Sequence, residues 1–278
     1  MANIVRITFL IITSLFASLA MAQTIYTTHG DGLRFGTIDA LTGIGTDVGA
    51  TGQSGGWALA RDSDGTLYTT YDGFSGNAQL ATINPSTGVI DATIGGLGVS
   101  LIALEIDGTG QLWGVGYDNG TLYRIDKANA AITTVGDTGA INTMDLSIDP
   151  SGNLYSTVNN VLYQLDPLTG ASLGTLTITG TTGSVMGIMH DANGILYATD
   201  YIAGAQLYDV NLSTGAATVV GATGFDFPHG GDIESVLIPT TPIPTVPVPT
   251  LSAYGLGLTI LFLLFLGQRR LRASTRRV

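Results

Sequence analysis

The sequence predicts an all-β fold, a five-bladed β-propeller. Three observations carry that expectation: a repeat of 42–45 residues, two families of Asp- or Asn-led turns inside each repeat, and almost no long helical pattern across the body at 23–239. The aromatic anchor of the repeat returns as IYTT at Tyr26, LYTT at Tyr68, LWGV at Trp113, LYST at Tyr155 and LYAT at Tyr197, at spacings of 42, 45, 42 and 42 residues. Each unit holds four short runs rich in β-branched and aromatic residues, the pattern of a four-stranded antiparallel sheet. Such a sheet buries both faces only by packing against neighbours, and a closed ring of sheets protects the edges as well.

The turns justify the individual elements. The first family reads D-S-D-G at Asp62, D-G-T-G at Asp107, D-P-S-G at Asp149 and D-A-N-G at Asp191. Asp in first place caps the turn through its side chain, and Gly in fourth place takes the positive φ of a tight hairpin. The second family reads D-A-L-T-G at Asp39, N-P-S-T-G at Asn84, D-K-A-N-A at Asp126, D-P-L-T-G at Asp166 and N-L-S-T-G at Asn211, so only the third copy lacks its terminal Gly. The first unit lacks the strand that precedes the aromatic anchor elsewhere, and DIESVLIP (Asp232 to Pro239) offers one after the last unit. The ring is therefore expected to close with three strands from the N-terminus and one from the C-terminus.

Both ends of the chain read as processing segments. Residues 1–22 combine Arg6, an apolar stretch and Ala20/Ala22 in the A-x-A arrangement of a signal peptide, which predicts Sec export, cleavage by signal peptidase and a mature start at Gln23. With no cysteine in the chain, the fold cannot depend on disulfides in the compartment it reaches. A Pro-rich linker spans 240–250, an uncharged apolar segment of spanning length covers 251–267, and a basic tail with five arginines fills 268–278. Positive charge on that side predicts a cytoplasmic C-terminus, with the inner membrane engaged through the apolar helix and the propeller facing outward.

The octapeptide VPTLSAYG at the head of the apolar segment resembles the I-P-T-L-S-E-W-G signature of IPTL-CTERM sorting domains, relatives of the PEP-CTERM signals. Pro249, Thr250, Leu251, Ser252 and Gly255 match, whereas Val248, Ala253 and Tyr254 replace Ile, Glu and Trp. The resemblance covers roughly a tenth of the chain. It implies a Gram-negative bacterium, recognition of the tail by an exosortase-type transpeptidase, and display on the cell surface or release from it.

All 21 acidic residues lie between Asp31 and Glu234, against four of the ten basic ones. So acidic a body argues against nucleic acid and anionic lipid as partners and leaves divalent cations or neutral polymers. The units are also loosely similar to NHL-type and PQQ-type repeats, which implies that the strand before each D-x-x-G turn is innermost. Counting back three places from the turn gives Leu59, Leu104, Leu146, Ile188 and Val236, an apolar layer between blades. Two and four places back stand Ala60, Glu105, Ser147, Met189 and Leu237, then Ala58, Ala103, Asp145, Gly187 and Ser235, which are expected to face the channel. Glu105, Asp145 and Asp232, with His229 near the mouth, are the candidates for holding a polar ligand or a Ca²⁺ ion. No other cofactor is expected.

Exposed rings stack on sugar faces. Trp57, Tyr71, Phe74, Tyr117 and Tyr201 fall in loops or at strand ends, as do Phe225 and Phe227, and are the candidates for carbohydrate stacking, with covering of the blade core as their alternative role. GQSGG at 52–56 formally matches G-x-S-x-G, but a nucleophile elbow needs a strand before it and a helix after it. His29, His190 and His229 show no metal-binding spacing. The DSDG turn has no Glu at the calcium-loop position. The expected function is a non-catalytic recognition or structural module of the cell surface or extracellular matrix, binding polysaccharide or protein. The alternatives are a propeller enzyme (lyase, lactonase-like or cyclotransferase) using Glu105, Asp145 and His229, and a passive surface-layer protein.

Overall fold

The computed structural model describes residues 23–233. The expected signal peptide, Pro-rich linker, apolar segment, basic tail and sorting motif at Val248–Gly255 lie outside the described residues. Within them the chain forms twenty β-strands. The first blade begins with β1 (Thr24–His29), β2 (Arg34–Asp39) and β3 (Gly45–Ala50). The second contains β4 (Leu59–Arg61), β5 (Leu67–Tyr71), β6 (Gln79–Ile83) and β7 (Ile90–Gly96). The third contains β8 (Leu101–Ile106), β9 (Leu112–Gly116), β10 (Thr121–Ile125) and β11 (Ile132–Asp137). The fourth contains β12 (Asp145–Ile148), β13 (Leu154–Val158), β14 (Val161–Leu165) and β15 (Ser172–Thr177). The fifth contains β16 (Val185–His190), β17 (Leu196–Asp200), β18 (Gln206–Val210) and β19 (Ala217–Ala222), after which β20 (His229–Ile233) returns to the first blade. Each blade is one four-stranded antiparallel sheet, and the first has the order β20-β1-β2-β3.

The three-plus-one closure is present, but its strand starts earlier than DIESVLIP. Thr28 pairs with His229, Thr27 with Gly231, Tyr26 with Asp232 and Ile25 with Ile233. The anchor aromatics of the other blades pair with Ala60, Glu105, Ser147 and Met189. Asp232 therefore stands in the layer assigned to Leu237 from the sequence, and Gly231 in the place assigned to Val236. The cause is the missing turn: no D-x-x-G follows the last strand, so counting back from a turn has nothing to count from. Val236, Leu237 and Ser235 lie outside the described residues.

The apolar core is divided into five wedges, one at each junction between blades. Leu59 packs with Phe35, Leu67 and Ile83. Leu104 packs with Ala58, Ala60, Leu80 and Leu97. Leu146 joins Ala103, Val115 and Leu122, and Ile188 joins Leu162, Val185 and Leu196. Met189 meets Ile25, Ile38 and Ile233, so the latch strand supplies the last wedge. This corrects the expected side-chain directions. A blade stands radially, so its two faces look at the two neighbouring blades and only the edge of the innermost strand looks at the axis. Residues three places before the turn point to the preceding blade, whereas those two and four places before it point to the following one.

The outer strands hold a feature that the turn pattern did not reveal. Gly49, Gly95, Gly136 and Gly221 pair with Phe35, Leu80, Leu122 and Leu207 at the same place in four blades. There the backbone of the next blade's second turn presses close: a Cβ on Gly136 would come within 1.9 Å of the Thr169 carbonyl, and one on Gly221 within 2.0 Å of the Thr42 carbonyl. The glycines let adjacent blades meet backbone to backbone near the rim.

Candidate ligand-binding face

The strand order separates two faces. The D-x-x-G turns and the second turns form one. The links between the second and third strands of each blade, together with the blade-to-blade crossings, form the other. On the turn face the Asp side chains are used locally, as the sequence predicts. Asp149 Oδ1 accepts the N–H groups of Ser151 and Asn153, both at 2.9 Å. Asp191 does the same for Asn193 and Ile195 at 2.9 and 2.8 Å, and Asp107 for Thr109 and Gln111 at 2.8 and 3.1 Å. Lys127 forms a salt bridge with Asp62 and lies 5.9 Å from the Tyr68 ring centroid.

Glu105, Asp145 and Asp232 are buried between the blades instead of lining an open channel. The inner strand of each blade is a sheet edge with N–H groups that no further strand pairs, and the carboxylates of the preceding blade satisfy some of them. Asp145 Oδ2 accepts the Ile188 N–H at 2.8 Å, and Ser147 Oγ accepts that of His190 at 2.8 Å. Asp232 accepts the N–H of Arg61 and, at 2.7 Å, that of its own neighbour Ile233. Glu105 accepts the Ile106 N–H at 2.9 Å. Burial raises all three carboxyls: Asp232 to about 7, Glu105 well above the usual range with the Asp232 charge adding to the rise, and Asp145 likewise chiefly by burial. Among the described residues, no group of three or more His, Asp or Glu side chains is arranged to hold a metal ion.

The loop face gathers aromatics from four blades. Tyr117 meets Phe74 edge-on at 4.8 Å, Phe74 meets Trp57 at 5.3 Å, and Trp57 meets the His229 imidazole at 4.7 Å. The line continues from His229 to Tyr201 at 5.9 Å and from Tyr201 to Phe227 at 5.1 Å. Six rings thus form one arc. Phe74 is 49% exposed and the other four carbocyclic or indole rings are half-buried. Four of the five stacking candidates are therefore brought together. The fifth, Tyr71, is apart: its hydroxyl bonds Thr93 on the outer strand β7 at 2.8 Å. Phe225 is buried, stacked flat on His29 at 4.0 Å, and belongs to the junction of the fifth and first blades.

At the centre of the arc His229 is 1% exposed. Its Nδ1 lies 3.2 Å from the Trp57 carbonyl oxygen, which can only accept, so Nδ1 carries the hydrogen. Nε2 is then a bare acceptor, and it has no hydrogen-bond partner. Burial lowers the imidazole to about 4, so it is neutral at physiological pH. Around the arc stand exposed carboxylates. Asp31 accepts the Tyr201 hydroxyl at 2.6 Å, Asp72 accepts that of Ser54 at 3.2 Å, and Asp226 accepts the Gly204 N–H at 2.8 Å. The sequence revealed the rings and His229 separately. It did not place the histidine among them, because His229 enters the arc only through the latch register.

No family model and no curated protein matches the chain. Among solved structures, a structural-genomics protein of unknown function from Bacteroides thetaiotaomicron aligns at a TM-score of 0.56 and 18% identity, over 78% of this chain and 66% of its own. A chain of a nidogen–laminin complex aligns at 0.53 and 11% identity, over 76% of this chain and 98% of its own. Virginiamycin B lyase from Staphylococcus aureus aligns at 0.43 and 15% identity, over 71% and 69%. Likeness at such identities speaks for architecture alone. The chain is an all-β five-bladed propeller, closed by β20 against β1.

Proposed function

We propose that this chain is an exported, surface-sorted recognition module whose loop face binds polysaccharide without catalysis. The observation that carries the reading is the unbroken arc of Tyr117, Phe74, Trp57, His229, Tyr201 and Phe227 on one face. Aromatic rings with one side packed and one side toward solvent offer apolar area at little entropic cost, and sugars present matching C–H faces. The titratable groups favour binding over catalysis. Asp145 and Asp232 bond backbone N–H groups of the next blade, so the carboxylates named for an enzyme serve the joints between blades. His229 is held by the Trp57 carbonyl, with its pKa pushed down and away from the range in which a general base operates at neutral pH.

The signal peptide and the tripartite tail support the surface location. Affinity electrophoresis of the full chain in gels containing cell-surface polysaccharide tests the binding, with F74A and Y117A as variants. Retarded migration that both variants abolish is expected, and unretarded migration in every polysaccharide leaves the passive surface-layer reading in its place. C-terminal mass spectrometry of envelope and medium fractions tests the sorting. Loss of everything beyond Val248–Gly255 is expected, and a C-terminus intact to Val278 makes the chain a membrane-tethered propeller.

A further inference from the structure

We propose that the arc selects a glycan bearing free amino groups, a donor-rich and cationic chain, over neutral, acetylated or acidic ones; the inference rests on the polysaccharide reading above and specifies its ligand. Two independent observations lead there. The first is the His229 Nε2 atom, a buried acceptor with no partner in the middle of the ring arc. Buried polar atoms in folded proteins are almost always paired, so an orphan acceptor at a candidate site asks for an N–H or O–H donor from outside. A neutral imidazole whose other nitrogen is committed to the Trp57 carbonyl cannot become a donor without tautomer exchange.

The second observation is the charge around the rings. Asp31, Asp72, Asp118 and Asp226 lie exposed on the loops of this face. The four basic residues of the body are Arg34, Arg61, Arg124 and Lys127. Arg34 stands on this face, at the start of β2, with its charge matched by the bidentate Asp47 carboxylate. Arg61 and Lys127 belong to the opposite face, at the end of β4 and in a second turn. Arg124 sits over the Trp113 ring at 5.1 Å. The face therefore offers acceptors and negative charge, and its aromatic rings attract cations by their quadrupoles. An anionic sugar would meet repulsion, and an acetylated amine would lose both the charge and two of the donors. The five rings that reach solvent, Tyr117, Phe74, Trp57, Tyr201 and Phe227, suit a chain ligand that engages several units, not a single small cation.

The test is calorimetric titration of the full chain at pH 6 with four probes: a β-1,4-linked glucosamine hexamer, its fully N-acetylated form, a galacturonate hexamer and hexalysine. The glucosamine hexamer is expected to bind at least tenfold tighter than the acetylated one, with affinity falling as salt rises, and the galacturonate hexamer is expected to give no heat. D31N keeps a side chain that tolerates φ of 59° and still accepts the Tyr201 hydroxyl, so its expected several-fold loss reads the charge and not the fold. H229F removes the acceptor while keeping a ring, and is expected to weaken the glucosamine hexamer more than the acetylated one. Equal or tighter binding of the acetylated hexamer overturns the cation inference and leaves the polysaccharide reading intact. Hexalysine binding as tightly as the glucosamine hexamer overturns the glycan class and keeps only the cationic site. No heat with any probe overturns this inference, and if the electrophoretic retardation fails as well, the function proposed above falls with it.

Discussion

On the turn face, Asp107, Asp149 and Asp191 each bond the N–H groups two and four places ahead, so a turn's polar side chain is used up within its own hairpin. On the loop face, Asp31 and Asp72 take αL conformations with φ of 59° and 52°, and Asn142, Asn159 and Phe227 do likewise at 64°, 52° and 51°. Among the described non-glycine residues the turn face has one such position, Ala130 at 61°. Repeats of one design therefore give a face of self-contained caps and a face of non-repetitive loops holding less favourable backbone. Strain of this kind gathers where a surface has a task that the fold itself does not demand. The fold is secured on one side of the ring, and the variable chemistry is placed on the other.

The sharpest way to break that contrast is at the latch, which belongs to both. Gly230 has φ of 57°, and a Cβ there would come within 2.1 Å of the Trp57 carbonyl. G230A is expected to cost on the order of 4 kcal/mol, seen as a collapse of the melting temperature together with loss of the arc; an unchanged melting temperature would show that the loop face floats free of the latch. On the turn face, D149A removes three hydrogen bonds, from Ser151, Asn153 and the Asn153 amide. It should lower stability by about 2 kcal/mol, a fall of roughly 4–8 °C, while leaving ligand affinity as it was. Equal damage to both properties would mean that the faces are coupled.

A pH series probes the region between the faces. Asp232 holds its proton to about 7 in the fold, against about 3.9 for an unfolded Asp, and Glu105 and Asp145 are raised in the same direction. The folded chain then binds more protons than the unfolded one, so this contribution is full below about pH 4 and is lost as pH rises through 7. His190 and His229, both lowered to about 4, act oppositely: their contribution is full above about 6.5 and is lost as pH falls toward 4. The two largely offset each other between those limits. Above 6.5 only the carboxylates still titrate, so the melting temperature should fall between pH 6.5 and 8, and D232N should flatten the fall. A rise over that interval would contradict the burial of the cluster.

Smaller effects complete the comparison. F74A gives up two edge-on ring contacts, worth about 1 kcal/mol together, yet should reduce polysaccharide affinity at least tenfold in the same gels. A130G replaces an Ala in αL by the residue that stands at the equivalent place as Gly43, Gly88, Gly170 and Gly215, with φ of 73–79°. It should raise stability by about 0.5 kcal/mol, because relief of the αL strain slightly exceeds the entropy of the added glycine. A loss would show that the Ala130 methyl, packed by Gly95, matters more.

Blade number, blade boundaries and the closure were legible because each rests on a local signal that repeats, such as the Asp-led turn or the anchor aromatic. The register of β20 was not, since the signal that sets register in the other blades is absent after it. That single slip carried Asp232 out of the Glu105 layer and hid the position of His229 between Trp57 and Tyr201. The facing of Glu105 and Asp145 is not legible in the strand pattern, for another reason. Alternation along a strand tells which residues share a side, but only the radial stance of the blade tells what each side meets. Tyr71 and Phe74 are three residues apart, and nothing in their spacing says that one turns to Thr93 and the other to the arc.

The return of β20 to β1 also bears on how the chain is made. Thr27 and Thr28 donate their hydroxyls to the Gly230 and His229 carbonyls, partners about two hundred positions later in the chain. A chain emerging from its N-terminus keeps β1 as an open edge until the last described strand has appeared. Long-range closure of this kind is slow, because the loop must be gathered before any contact rewards it. A product cut short before His229 would have four whole blades and an open first blade, with the β1 edge left unpaired.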